Sequence, residues 1–436
     1  MTADSVLATS LATPKHADAV IVGGGLVGGL CALLLAESGV DVVVIDAAPP
    51  LTDEVRAKEL LDQRDARVWA LSPASLSLLE RVGVWSRVVR HAPYQGMQVW
   101  SRDGRGILDF GQVSQTGIDQ ESLRDSRLLG SMVEPSVLAL ALQQVLQEKL
   151  GAQYLQPKRL KNIERFSHDW QVSLESGECY RTPLVIGADG AGSMVRQLAG
   201  IQVELLDYKQ MALTGAIRTE KPHGGVARQV FLPTGPLAFL PLANHPVQSP
   251  DEEDCWQSIV WTLPTVDAQD MADLDDAALM AKLSHASGYV LGHVTAIESR
   301  GIFPLRAQQA KLYCLDGLAL IGDAAHVVHP MAGQGVNLGL LDAAVLADAL
   351  LHDRDRGLWA HRQTLKRYER VRRLPNSVMM HGLSILGWMQ SSDQQWLMWL
   401  RGEGMHLLTQ FDGLRHIVGE QASGRSAIKS TRYRIA

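Results

Sequence analysis

One stretch constrains the fold of this chain more than any other: Gly23-Gly24-Gly25-Leu26-Val27-Gly28, set directly after the apolar run Ala19–Val22. A helical pattern follows, carrying Leu30, Leu33, Leu34 and Leu35, and Ser38-Gly39 stops it. Val40–Asp46 (VDVVVID) then reads as a second buried strand. The unit from Ala17 to Asp46 is therefore strand, glycine turn, helix, strand. Gly23 suits the tight turn, Gly25 lets a backbone approach a pyrophosphate, and Gly28 permits close helix–strand packing. Asp46 lies 18 residues after Gly28, close to the ~20 usual for an acid that binds a ribose. The unit predicts dinucleotide binding and does not separate FAD from NAD. The competing reading is a helix start that uses its glycines only for packing.

At 436 residues the chain exceeds what one hydrophobic core usually serves, so two or more domains are expected. Its 46% apolar and 20% charged residues are those of a soluble globular protein. A net charge of −6 with no polybasic run argues against a nucleic-acid partner. Cys31, Cys179, Cys255 and Cys314 are scattered without a CxxC pair, which suits free thiols in a reducing compartment. Residues 1–20 lack a basic n-region and read as a short disordered lead-in rather than a secretion signal. No uninterrupted apolar run reaches about 18 residues, so a cytoplasmic location is expected.

Helices are expected from Ser72 through Leu79, from Val137 to Leu150 and from Val336 to Leu351, with Leu184–Ala188 and Leu318–Gly322 as buried strands. From about 205 to 305 the pattern changes to alternating, aromatic-bearing runs such as RQVFLP, LAFLPL and WQSIVWTL, which predict an antiparallel sheet in a different layer. From Leu365 to about Val418 the chain reads as mostly helical, and Gln248–Cys255 as a solvated acidic loop.

Two further motifs carry chemistry. Leu184–Ala188 runs into Asp189-Gly190, with Ser193 and Arg196 at helix spacing beyond it; this is either a turn closing on a second ligand surface or a simple capped turn. Gly317 to Gly339 is more specific. Asp323 at a strand end is placed to bond a polyol hydroxyl, Gly333 and Gly335 permit a backbone lying flat near a ring, and the helix that follows can stabilise negative charge. His326 and His329 invite a metal reading through their spacing, but Asp323 is the only acid close by, and His329-Pro330 suits packing beside a ring better.

The block GDAAHxxHPxAGQGxNLGxxDA, from Gly322 onward, resembles the ubiquinone-biosynthesis flavin hydroxylases, the UbiH/UbiF/UbiI group; Asp189-Gly190 with its downstream Arg is similar to the second fingerprint of aromatic hydroxylases. Arg67-Val68-Trp69-Ala70-Leu71, followed by Gly83-Val84-Trp85, extends the likeness, which covers most of residues 18–400. The resemblance implies an α/β fold: a Rossmann-like FAD-binding domain of the aromatic-hydroxylase type, an antiparallel-sheet substrate domain and a helical C-terminal region. The expected divisions are 1–90, 126–204 and 310–364 for the discontinuous FAD-binding domain, 91–125 and 205–309 for the substrate domain, and 365–436 for the helical region. Expected cofactor contacts are Gly23, Gly25, Gly28, Asp46, Arg67, Asp189, Asp323, Gly333, Gln334, Gly335 and Asn337. No metal is expected and no catalytic base is assigned; His329 and Tyr94 are expected only to line the site.

The implied activity is FAD-dependent hydroxylation of a polyprenylphenol ring by O2 through a flavin C4a-hydroperoxide. With no second GxGxxG turn, a reductant such as NAD(P)H would lack its own Rossmann domain. Within the family, stretches in the expected substrate layer, among them Tyr94–Trp100, Ile217–His223 and Leu237–Leu242, most resemble the 2-polyprenylphenol hydroxylase branch (UbiI), which implies attack at the ring's C5 position. Hydroxylation of a later intermediate, as by UbiF or UbiH, stays open, as do a flavin dehydrogenase or oxidase without oxygen insertion and a non-catalytic scaffold. A ubiquinone-synthesis complex and a homo-oligomer are further expectations. Phe231, Leu232, Phe239, Leu240 and Trp261 suit an apolar channel or plain sheet core. The Met- and Trp-rich stretch Val378–Leu408 reads as a packed helical hairpin or as a patch for peripheral contact with the inner membrane. The family commonly has Val-Glu-Asn where this chain has Val133-Glu134-Pro135, and the loop around Gln248–Asp254 is lengthened.

Overall fold

The computed structural model describes residues 13–102, 107–111, 128–244, 254–328, 334–391 and 424–435. Elements are numbered in chain order. The central sheet runs β19 (Cys314–Leu315), β20 (Leu318–Leu320), β13 (Val185–Gly187), β2 (Ala19–Val22), β3 (Val42–Ile45), β9 (Tyr154–Leu155). From β20 to β9 every pairing is parallel. β2, β3, β13 and β20 are buried along their whole length, as continuous apolar strands covered on both faces must be. The three motif-bearing strands β2, β13 and β20 are hydrogen-bonded neighbours. Their C-terminal ends therefore deliver three turns, separated by up to 300 residues of chain, to one edge, where open parallel sheets bind ligands.

Helices α1 (Leu26–Ala36), α4 (Pro135–Leu150) and α8 (Gln334–Arg354) pack beside this sheet. A Cβ on Gly29 would lie 2.9 Å from the tip of Leu142, so α1 and α4 pack closely there. α8 is long and apolar enough to cross a membrane by composition, yet most of it is buried in the core against α1 and against α9 (Arg362–Ser391). The expected lead-in is shorter than the sequence suggests: β1 (Lys15–His16) already pairs with β12 (Cys179–Thr182), which continues into β11 (Asp169–Leu174) and β10 (Leu160–Phe166) as a four-stranded sheet. α2 (Glu54–Asp62) is capped by Asp53 and α3 (Pro73–Arg81) by Ser72.

A small sheet, β4 (Trp69–Leu71), β8 (Gly130–Val133), β5 (Ala92–Tyr94), links the central sheet to an eight-stranded one. The latter runs β21 (His326–Val327), β18 (Val294–Ala310), β14 (Val203–Thr219), β17 (Trp256–Pro264), β16 (Gly235–Pro241), β15 (Val226–Leu232), β6 (Gly96–Ser101), β7 (Ile107–Gly111). All its pairings are antiparallel except β15 with β6. The reading of 205–305 as sheet alone needs one correction: α6 (Thr265–Ala272) and α7 (Asp276–Ala286) interrupt it. Asp275 caps α7 by accepting from the Ala278 amide at 2.7 Å. These helices cover one face of the sheet, packing Ala268, Leu279 and Leu283 on Leu213, Ile259, Trp261 and Leu263. The opposite face carries Ala216, Ala227 and Trp256 and meets Val68, Ala92 and Met132 of the linking region.

Strand alternation corrects the expected apolar channel. Leu232, Phe239 and Trp261 belong to the cluster under α6 and α7, and Leu240 packs on the opposite cluster with Tyr94 and Met97. Of the Met- and Trp-rich stretch, Met380 is buried, while Trp396, Met398 and Trp399 lie outside the described residues. Residues 1–12 and the acidic loop 248–253 also lie outside them.

Candidate cofactor site and active site

The first turn is set by steric necessity. Gly23 has φ +103, and a Cβ there would sit 2.3 Å from the Ala188 carbonyl oxygen; one on Gly28 would sit 2.0 Å from the Gly23 oxygen. The turn after β2 is thereby packed directly against the turn after β13. Gly25 differs, because a Cβ there would meet nothing within 4 Å. It is the N-cap of α1 and offers no side-chain cap, so the helix opens with amide groups turned to open space. That arrangement accepts a phosphate.

Asp46 follows β3 and is nearly buried. Its Oδ1 accepts from the Ala48 amide at 2.8 Å. Burial pushes its carboxyl pKa up, with the Ala48 and Gly24 amides opposing. Asp189 is committed to its own turn: Oδ1 accepts from the Ser193 hydroxyl at 2.5 Å, and Oδ2 from the Met194 and Val195 amides at 2.6 and 3.1 Å. These bonds build the start of α5 (Met194–Leu198). Arg196, buried, donates to the Ala324 carbonyl at 2.8 Å and the Ala191 carbonyl at 2.7 Å, clamping the second turn to the third.

Asp323 lies in the turn after β20. Its side chain is accessible yet surrounded by protein, as on the wall of a cleft. This crowding pushes its pKa up, while His326 and Arg67 pull it down. Arg67 lies over the Phe303 ring at 5.3 Å, so the loop before β4 and strand β18 meet near the Asp323 turn. Gly335 sits in the first turn of α8. Gly333 and His329 lie outside the described residues, as does the side chain of Gln334.

Asn337 is tied into the surrounding elements. Its Oδ1 accepts from the Ser72 amide (2.9 Å) and the Ser75 hydroxyl (2.7 Å), and its Nδ2 donates to the Ala70 carbonyl (2.7 Å). The amide side chain ties α8 to β4 and α3. Asn337→Ala should cost about 1–3 kcal/mol, since it strands buried partners; urea unfolding of the purified protein measures this.

The sequence reading missed the network beneath Asp323. Asp342 Oδ2 accepts from the Gly322 amide at 3.1 Å and lies 2.5 Å from His326 Nε2. Its Oδ1 accepts from Arg372 Nε at 2.7 Å and from Asn376 Nδ2 at 3.3 Å. All four side chains are buried. Burial opposes ionisation of Asp342, but His326 and Arg372 outweigh it and hold the carboxyl at about 2. His326 thus faces inward as a partner of Asp342. Asp342 falls inside the NLGxxDA pattern, so its position was a signal; its partner Arg372, 30 residues on, was not.

An open, uncapped helix start, an acid at the end of the neighbouring strand and a crowded acid on the cleft wall fit an extended dinucleotide. Residues 16–381 match the family model described as FAD binding domain. The chain belongs to the FAD-dependent monooxygenases. The Escherichia coli 3-demethoxyubiquinol 3-hydroxylase is 38% identical over 377 residues, 86% of this chain and 90% of that protein. Ubiquinone hydroxylase UbiL of Rhodospirillum rubrum is 35% identical over 368 residues, 84% of this chain and 80% of that protein. A crystal structure of PqsL, a probable FAD-dependent monooxygenase from Pseudomonas aeruginosa, superposes with TM-score 0.68 at 25% identity, covering 90% of this chain and 100% of that one. The monooxygenase is therefore related to the ubiquinone-biosynthesis hydroxylases, and the comparisons do not single out the 2-polyprenylphenol branch within them.

Glu134, in the segment where this monooxygenase departs from the family pattern, is buried. It accepts from Arg90 Nε at 2.6 Å and from the Asp65 amide at 2.9 Å, while Pro135 opens α4. The departure thus places Pro at a helix position that needs no amide hydrogen.

Proposed function

We propose that this monooxygenase hydroxylates the ring of a polyprenylated phenol of the ubiquinone type, using O2 and electrons from an external donor such as NAD(P)H. In this reading Gly23, Gly25 and Gly28 hold the FAD pyrophosphate against α1, and Asp46 takes the adenosine ribose. Asp323 takes the ribityl chain, with Arg67 and the start of α8, Gln334-Gly335, beside the ring. Asp189 and Asn337 act through the turns they hold. Bound FAD supplies the reduced flavin that activates oxygen. The protein's own part is to bind, orient and exclude water.

The observation that carries the substrate reading is an apolar strip beside the Arg67–Asp323 wall. The segment that begins at Arg67 continues into Val68 and Ala70, which pack with half-buried Tyr94, Met97 and Leu240 on the sheet face opposite α6 and α7. Burial pushes the Tyr94 hydroxyl up to about 12, so it stays protonated and serves as a hydrogen-bond donor or a ring surface rather than a base. Tyr94→Phe should then leave the pH profile of hydroxylation unshifted near neutrality; a lost alkaline or acid limb in steady-state rates would contradict this.

Two ring positions compete. The substrate-layer stretches favour the first hydroxylation, at C5 of a 2-polyprenylphenol. The relative named a 3-demethoxyubiquinol 3-hydroxylase favours a later one. Quinone intermediates in a deletion strain decide between them. Accumulated polyprenylphenol supports the first reading, accumulated demethoxyubiquinol supports the second, and an unchanged quinone profile overturns both.

A further inference from the structure

The face of the eight-stranded sheet turned away from the cleft holds a cavity of about 460 Å³ under α6 and α7. This is within the range of small-molecule sites, ~300–1,000 Å³. Its apolar walls include Leu232 of β15, Trp261 of β17 and Met271 of α6. Its polar lining holds two cations, Arg102, which follows β6, and Lys282 on α7, together with the His285 imidazole on α7 and Thr234. No carboxylate lines it among the described residues, although the chain as a whole is acidic. All three basic side chains are exposed, and none forms an ion pair with a described residue. Trp261 is itself only 4% exposed.

We infer that this cavity is a second binding site, distinct from the flavin cleft, for a small amphiphile with one anionic head, a carboxylate or a phosphate. The apolar body would lie against Leu232, Trp261 and Met271, and the head would meet Arg102, Lys282 and His285. Residues 258 to 261 of β17 link this wall to the opposite face of the sheet, but the cavity shares no lining residue with the Arg67–Asp323 wall.

Decanoate, decyl phosphate and uncharged decanol, titrated separately into the FAD-loaded enzyme by calorimetry, test the site. One-site saturable binding of either anion is expected, at least about tenfold tighter than decanol. The exposed charge reversals Lys282→Glu and Arg102→Glu should each weaken it about tenfold or more while leaving flavin content and hydroxylation unchanged. The tighter of the two anions identifies the head group. No saturable binding, equal binding of decanol, or binding insensitive to both reversals would overturn the site.

Discussion

Asp342→Ala is expected to lower stability by about 3–5 kcal/mol, because it leaves Arg372 as an uncompensated buried charge. The same substitution removes the acceptor for the Gly322 amide and the partner of His326. The turn that carries Asp323 then loses its anchor, and FAD retention should fall with it. Urea unfolding of the FAD-free protein reads the first effect, and flavin content after gel filtration the second. Replacing both ends of the pair, Asp342→Leu with Arg372→Met, removes two charges together and should recover much of the stability without recovering the anchored turn. A single Asp342→Ala variant within about 1 kcal/mol of the parent would show that the network bears little of the fold. The pH dependence has a definite sign. A carboxyl held at about 2, below its ordinary 3.8, contributes stability that is fully present above pH 4. That contribution is lost as pH falls through 2, so an acid-unfolding limb between these values should be weakened in Asp342→Ala.

The second large effect separates two glycines of one motif. Gly28→Ala would place a methyl 2.0 Å from the Gly23 oxygen of its own turn and 2.9 Å from the Ala188 Cβ of the second turn, so the first turn must open and shift from the second to admit it. Overpacking of this kind costs about 1–3 kcal/mol, and the displaced turn should weaken FAD binding about a hundredfold, the equivalent of about 3 kcal/mol. Gly25→Ala meets open space at a backbone angle of φ −66, which any residue adopts. Its FAD-free form should unfold like the parent, and only its FAD affinity should drop, since the methyl occupies the approach of the phosphates. Fluorescence titration of the two apoproteins with FAD, alongside their unfolding curves, distinguishes the cases. Equal loss of stability in both would mean that Gly25 serves packing rather than a ligand.

Much of this architecture was legible in the sequence where one residue type answers to one local demand. AVIV and VDVVVID declare buried strands, Ser72 and Pro135 mark helix starts, and Gly23 marks a turn no side chain can enter. The adjacency of β2, β13 and β20 was not legible, because strand order depends on pairings between segments far apart in the chain. The faces of the eight-stranded sheet were hidden for a related reason. Alternation separates Trp261 from Leu240, but only the position of α6 and α7 says which of them faces the cleft. Those helices escaped notice because they are short and bury few residues. Asn337 and Asp189 stood out in their motifs, while the bonds their side chains make to Ser72, Ser75, Ala70 and the start of α5 were not legible.

In the proposed reaction, bound FAD passes one atom of O2 to an aromatic ring. The most direct test supplies the reduced holoenzyme with a polyprenylated phenol under isotopically heavy O2 and weighs the product. One heavy oxygen atom per hydroxylated ring is the expected result. A product without the label, with the consumed O2 recovered as hydrogen peroxide, would make this flavoprotein an oxidase and contradict the account.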